Sequence, residues 1–216
     1  MYQHVTYQLS KENAEVFLVF DRYLKYSIKG ATRQQRKGNL SNNHILSIDA
    51  PLPTREVVMT SSRNKVQIID IVSQYIVEML SINRFKKKFV VTFSEPTPIQ
   101  VEDGIITPRK DLESTHEEAD VNMIMQCMKC AEEGKSPIKV ICDDTNVFVL
   151  LTSYVHKHSI KSSVLMESFS DDRALININA RATKHESIIP SLIPAHALSG
   201  CDSVPKMYGI GKKKAG

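Results

Sequence analysis

PIKVICDDTNVFVLL, residues 137–151, decides how the rest of the chain is read. PIKVIC (137–142) is a short β-prone apolar run. Asp143 and Asp144 interrupt it, and TNVFVLLTSYVHKH (145–158) resumes with helical apolar spacing and Thr145 as its expected N-cap. An unpaired buried charge costs several kcal/mol, so the two carboxylates are a solvated turn, a cap on the helix, or ligands for something positive. A strand feeding a helix through a polar junction is the repeating step of α/β folds, whose ligands bind beyond the C-terminal ends of parallel strands.

The pattern recurs on either side. AEVFLVFD (14–21) reads as a buried strand ending at Asp21, KKKFVVTFSEP (86–96) as a second strand, and apolar positions 66, 69, 72, 76, 79 and 80 mark a helix from Lys65 to Ile82. Residues 39–63 are rich in Asn, Pro and Ser and form an irregular excursion; TPIQVEDGIITPRKDLE (97–113) is also expected to be irregular. STHEEADVNMIMQCMKCAEEG (114–134) is the plainest helix. Ser114 with Glu117, or Thr115 with Glu118, makes a capping box, Ala119, Met123, Cys127, Cys130 and Ala131 share a face, and Gly134 is the stop. SVLMESF (163–169) and ALININA (174–180) suggest further strands, and SLIPAHALSGCDSV (191–204) a helix or turn. Strands alternating with helices predict a three-layer α/β domain with a mostly parallel central sheet, with Asp21 and the Asp143-Asp144 pair on one edge of it.

The totals fit one soluble domain over 1–216: 216 residues, 42% hydrophobic, 24% charged, with no repeat period. No apolar run approaches the roughly 20 residues of a membrane span. The N-terminus lacks a signal-peptide layout, so Cys127, Cys130, Cys142 and Cys201 are expected as reduced thiols inside the cell, with no disulfide-linked partner. Cys127 and Cys130 fall inside a helix and read as core thiols rather than a zinc pair. Basic residues gather in 25–37, in RFKKK (84–88) and in GKKK (211–214), and acids in HEEAD, CDDTN and SDDR. That segregation suits a polyanion together with a divalent cation. Carboxylates that converge without Lys or Arg repel unless a cation neutralises them, and hard Mg²⁺ or Mn²⁺ takes oxygen ligands. Blander roles stand beside this one: Glu117 and Glu118 suit a helix N-terminus, Asp143 or Asp144 a cap, and Asp202 a tight turn. Were the helix to begin before Glu118, Glu118 and Asp120 would lie about 200° apart around it and could not both bind one ion directly. An aspartyl phosphotransferase using Asp143 or Asp144 is a more distant reading. His116 and His196 lie close to the acidic motifs in sequence.

Taken in chain order, VFDRYLKYSIKGATRQQR (19–36), THEEADVNM (115–123), CDDTNVFVLL (142–151) and ALSGCDSVPKMYGIGKKKA (197–215) resemble the flap-endonuclease and XPG-type nucleases of the PIN-like superfamily. The likeness is closest to their divergent relatives with THEEAD, SPDTDVFVLL and HALTGCD patterns. The resemblance implies a structure-selective, flap-type endonuclease that hydrolyses nucleic-acid phosphodiesters, DNA before RNA, in the nucleus, with two Mg²⁺ or Mn²⁺ ions and water as nucleophile. By motif position the catalytic and metal set is Asp21, Glu118, Asp120, Asp144 and Asp202, with Asn146 at a sixth ligand position. Lys29, Arg33 and Arg36 would steady phosphate, and Gly209, Gly211, Lys212 and Lys213 would open the helix-hairpin element that holds a duplex phosphate. Asn146 stands where the family pattern has a second carboxylate, which lowers the expected metal affinity. Only twenty residues precede Asp21, none of them Asp, and the hairpin element begins at 205–216 without continuing. The expectation is therefore of a truncated or decayed copy, and a nucleic-acid-binding protein with weak or no hydrolysis is the alternative.

Overall fold

The structure, a computed structural model, describes residues 1–11, 14–23, 43–169 and 175–200. Its contacts divide the chain into two compact units, one ending at Ala119 and the other beginning at Asp120, where the sequence reading has a single domain. The division follows the cores. Val5, Leu9, Ile76, Leu80, Phe89 and Val101 close one apolar cluster, and Ile124, Val140, Val147, Leu151, Val164 and Ile178 close another.

The first unit contains α1 (Tyr2–Ser10), β1 (Val16–Val19), α2 (Arg55–Val58), α3 (Ser62–Ile82), β2 (Phe89–Thr92), β3 (Ile99–Glu102), β4 (Ile105–Pro108) and a 3-10 turn at Lys110–Leu112. β1 runs parallel to β2, with Val16 opposite Phe89 and Val19 opposite Thr92. Phe89 and Val91 of β2 are fully buried, as are Ile76 and Leu80 of α3, so β1 is held against a strand of the core. α3 begins three residues earlier than its apolar spacing suggests, because Ser61 caps it through the Asn64 amide. Within the described part of the 39–63 excursion, residues 43–47 lack regular structure but are stitched to α3. The buried Asn64 side chain accepts from the His44 amide at 2.9 Å, and Gln67 accepts from Leu46 at 3.0 Å. The rest of the excursion contains α2 and the start of α3.

Residues 97–113 are not irregular: β3 and β4 form an antiparallel hairpin on β2. Its turn is Asp103-Gly104, with φ of +48° and +80°, the left-handed pair that a two-residue type I′ turn demands. The prolines fall outside the paired interior, at 96 and 98 before β3 and at the last residue of the edge strand β4, where a missing N–H costs no ladder bond.

The second unit contains the body of α4 (Ala119–Glu132), then β5 (Ile138–Ile141), α5 (Thr145–Lys157), β6 (Val164–Glu167), β7 (Ile176–Asn177), α6 (Ile178–Lys184) and α7 (Ile189–Leu198). β5 and β6 are parallel, joined through α5, and β7 is antiparallel to β6. Residues 168–175 are too few for the crossover that a parallel partner would need. The chain is thus α/β, but with two mixed sheets, ordered β1-β2-β3-β4 and β5-β6-β7, in place of one mostly parallel sheet. Asp21 and Asp144 follow strands of different sheets, not one shared edge. Among the described residues no helix is long and apolar enough to cross a membrane.

Candidate functional site

Asp21 lies two residues beyond β1, and its carboxylate is spent locally in a specific way. Oδ1 accepts from the Ala119 amide at 2.9 Å, the first residue of α4. The main-chain N–H of Arg22 donates to the Glu117 carbonyl at 2.7 Å, and the Arg22 guanidinium donates through Nη1 to the Ser114 carbonyl. The expected capping box therefore does not form. Ser114 Oγ accepts from the His116 amide at 3.1 Å instead, and α4 starts five residues later than its sequence pattern suggests. A carboxylate from a distant strand supplies the cap, and a tertiary partner of that kind has no local signature. Glu117 and Glu118 precede the helix, so the 200° separation of Glu118 from Asp120 does not arise. Asp120 lies in the first turn, where an acid suits the helix dipole, and its Oδ1 accepts from the Val121 amide at 2.8 Å.

The other end of α4 follows the sequence. Gly134 has φ +76°, its amide donates to Ala131, and the Lys135 amide donates to Cys130 at 3.0 Å, the paired bonds of a Schellman stop. Its buried residues are Asn122, Ile124, Gln126 and Cys127, so polar side chains share the inner face that the apolar pattern assigned to Met123 and Cys130.

At the β5–α5 junction both carboxylates are exposed, which removes the burial cost that makes the CDD sequence puzzling. Asp144, not Thr145, is the N-cap of α5: its Oδ1 accepts from the Asn146 amide at 2.7 Å. Asp143 Oδ2 accepts from the Phe169 amide at 3.3 Å, tying the loop after β5 to the end of β6. Asn146, half-buried in the first turn of α5, meets His196 from the last turn of α7, with Nε2 donating to Oδ1 at 2.7 Å.

A carboxylate offers about four acceptor positions, so capping occupies only part of Asp21 and Asp144, and oxygen donors are the right chemistry for Mg²⁺ or Mn²⁺. The assembly is another matter. Among the described residues no group of three or more His, Cys, Asp or Glu is arranged to hold a metal ion. Asp21 and Glu118 belong to the first unit, and Asp120, Asp144 and Asn146 to the second. Asp202, Lys29, Arg33, Arg36, Gly209, Gly211, Lys212 and Lys213 lie outside the described residues. No catalytic step through a metal follows from this geometry. No family model, curated protein or solved structure matches the chain. The likeness to flap nucleases thus rests on the four motifs and their order.

Two functional candidates escape a motif reading. Arg22 is one: a charged residue after a strand-end acid looks solvated, yet it is 3% exposed. The engagement of Asn146 by His196 is the other, since it joins residues fifty positions apart.

Cys127, Cys130 and Cys142 are free thiols. Burial, with a smaller push from Cys130, drives the Cys127 thiol up to about 12. Burial also raises Cys142, opposed by a hydrogen bond from the Asp144 amide. The thiolate is the reactive form, so at pH 8 native Cys127 carries roughly one thiolate in ten thousand molecules. Its alkylation is expected to be undetectable in the native protein at that pH, to climb about tenfold per pH unit toward 12, and to become rapid in urea. Mass mapping of the alkylated peptides checks this, and fast native labelling of Cys127 at pH 8 would remove it from the core.

Proposed function

We propose that this chain is a divalent-metal-dependent endonuclease of the flap type, hydrolysing nucleic-acid phosphodiesters, with DNA the preferred substrate and the nucleus its place of action. The reading takes the fold as a PIN-like three-layer domain and the ligand set as Asp21, Glu118, Asp120, Asp144 and Asp202 with two Mg²⁺ or Mn²⁺ ions. Lys29, Arg33, Arg36 and the GIGKKK segment hold phosphate. The observation that carries it is that each parallel strand pair is followed, within three residues of β1 and of β5, by an aspartate, Asp21 and Asp144. That is where α/β sheets collect ligands, and the four motifs supply the chemistry.

The purified chain incubated with a 5′-flap DNA duplex and Mn²⁺ is expected to yield a defined cut that EDTA abolishes. A second reading, binding without efficient hydrolysis, is favoured by the His196–Asn146 hydrogen bond, which takes one of the two lone pairs on the uncharged side-chain oxygen of Asn146. It predicts a salt-dependent gel shift of the flap duplex with no product at any Mn²⁺ concentration. Neither shift nor cut would remove both.

A further inference from the structure

We propose that Arg22 is a positioning residue whose guanidinium fixes segment 114–119 and thereby orients Glu118; its bearing on catalysis rests on the nuclease reading above. Arg22 is 3% exposed, and Nη1 donates to the Ser114 carbonyl while Nε meets no acceptor. A buried guanidinium held by one backbone carbonyl is a costly way to fill space, and an apolar side chain of similar volume would serve packing as well or better. What an apolar side chain lacks is a directional donor on a rigid planar fork. Arg22 and its neighbour use such donors and acceptors on one short stretch. The side chain takes Ser114, the Arg22 amide takes the Glu117 carbonyl at 2.7 Å, and Asp21 takes the Ala119 amide at 2.9 Å. Glu118 lies between the last two. The carbonyl before it and the amide after it are both held, so its backbone is fixed on each side while its side chain stays half-buried at the start of α4. Ser114 itself is anchored twice, its amide donating to the Pro96 carbonyl at 3.2 Å and its carbonyl accepting from Arg22, and only the second anchor is lost with the arginine side chain.

The test compares Arg22→Met, which keeps the length and apolar stem, with Arg22→Lys, which restores one donor, and with Arg22→Ala. In metal-free protein, amide hydrogen exchange at His116 and Ala119 is expected to quicken at least about tenfold in the Met and Ala variants. The Lys variant should recover part of that protection, and Val90 and Val101 in the sheet should be unchanged. If Arg22→Ala does not fold, the Met and Lys variants decide. Equal behaviour of Met and Lys, exchange raised throughout residues 1–119, or no change at His116 and Ala119 each overturns the proposal. Mn²⁺ affinity, read by electron paramagnetic resonance on the same variants, is expected to fall about tenfold with Met and to return with Lys. Unaltered affinity in the Met variant overturns the positioning role. If the wild-type chain binds no Mn²⁺, the nuclease reading fails, and the hold on segment 114–119 is decided by the exchange measurements alone.

Discussion

Asp144→Ser is expected to leave the protein as stable as the wild type to within a few tenths of a kcal/mol, yet to lower Mn²⁺-dependent flap cleavage at least about a hundredfold. Asp144→Ala should lose both, with stability falling by about 0.5–2 kcal/mol. The pair separates two duties that one carboxylate performs. As N-cap of α5, Asp144 accepts from the Asn146 amide at 2.7 Å, a task that a serine hydroxyl performs equally well. As a metal ligand under the nuclease reading it supplies hard anionic charge, which serine cannot. Because the residue is exposed, neither substitution opens a cavity or strands a buried partner, so the stability difference reports the cap cleanly. Urea unfolding midpoints and single-turnover cleavage of a 5′-flap substrate provide the two readouts. Full cleavage by Asp144→Ser would reduce Asp144 to a cap and take it out of the ligand set.

The contrast between α3 and α4 shows what the amino-acid order makes legible. α3 is found from its apolar spacing because Ile76 and Leu80 recur on the period of the helix and are buried for that reason alone. The C-terminus of α4 is equally legible, since only a left-handed residue closes that stop and Gly134 is available. Its N-terminus is not. Two capping boxes are written in STHEEAD, and neither forms: they would use the Glu117 and Glu118 amides, whereas the helix starts at Ala119, whose amide is capped by Asp21 from beyond the strand. The β3–β4 hairpin was legible and is missed only when the flanking prolines are weighed above Asp103-Gly104, whose two positive φ values are the stronger signal. For the site the limit is sharper still. Residue type and motif order nominate Asp21, Glu118 and Asp144. Whether each spends an oxygen on a backbone amide depends on residues up to a hundred positions away, as the bond from Ala119 to Asp21 shows.

Asn146→Asp tests that limit at the position where the nuclease pattern is broken. The substitution restores a carboxylate of nearly the same shape, but it arrives already facing His196, whose Nε2 donates to Oδ1 at 2.7 Å. A carboxylate accepts that hydrogen bond more strongly than an amide does, so the new charge is partly consumed by the imidazole before any cation reaches it. The expected gain in Mn²⁺ affinity from Asn146→Asp alone is therefore below about tenfold, whereas Asn146→Asp with His196→Ala should gain on the order of 10–100-fold. His196→Ala by itself should gain nothing, because the amide it releases carries no charge. The two substitutions are thus expected to be non-additive, with a coupling that a double-mutant cycle on metal binding measures directly. Flap cleavage should follow the same order if weak metal binding is what limits the wild-type chain. Equal gains in the single and double variants would show that His196 does not compete for this oxygen. No gain in either would show that position 146 is not a ligand site in this protein, whatever the neighbouring DDT sequence resembles.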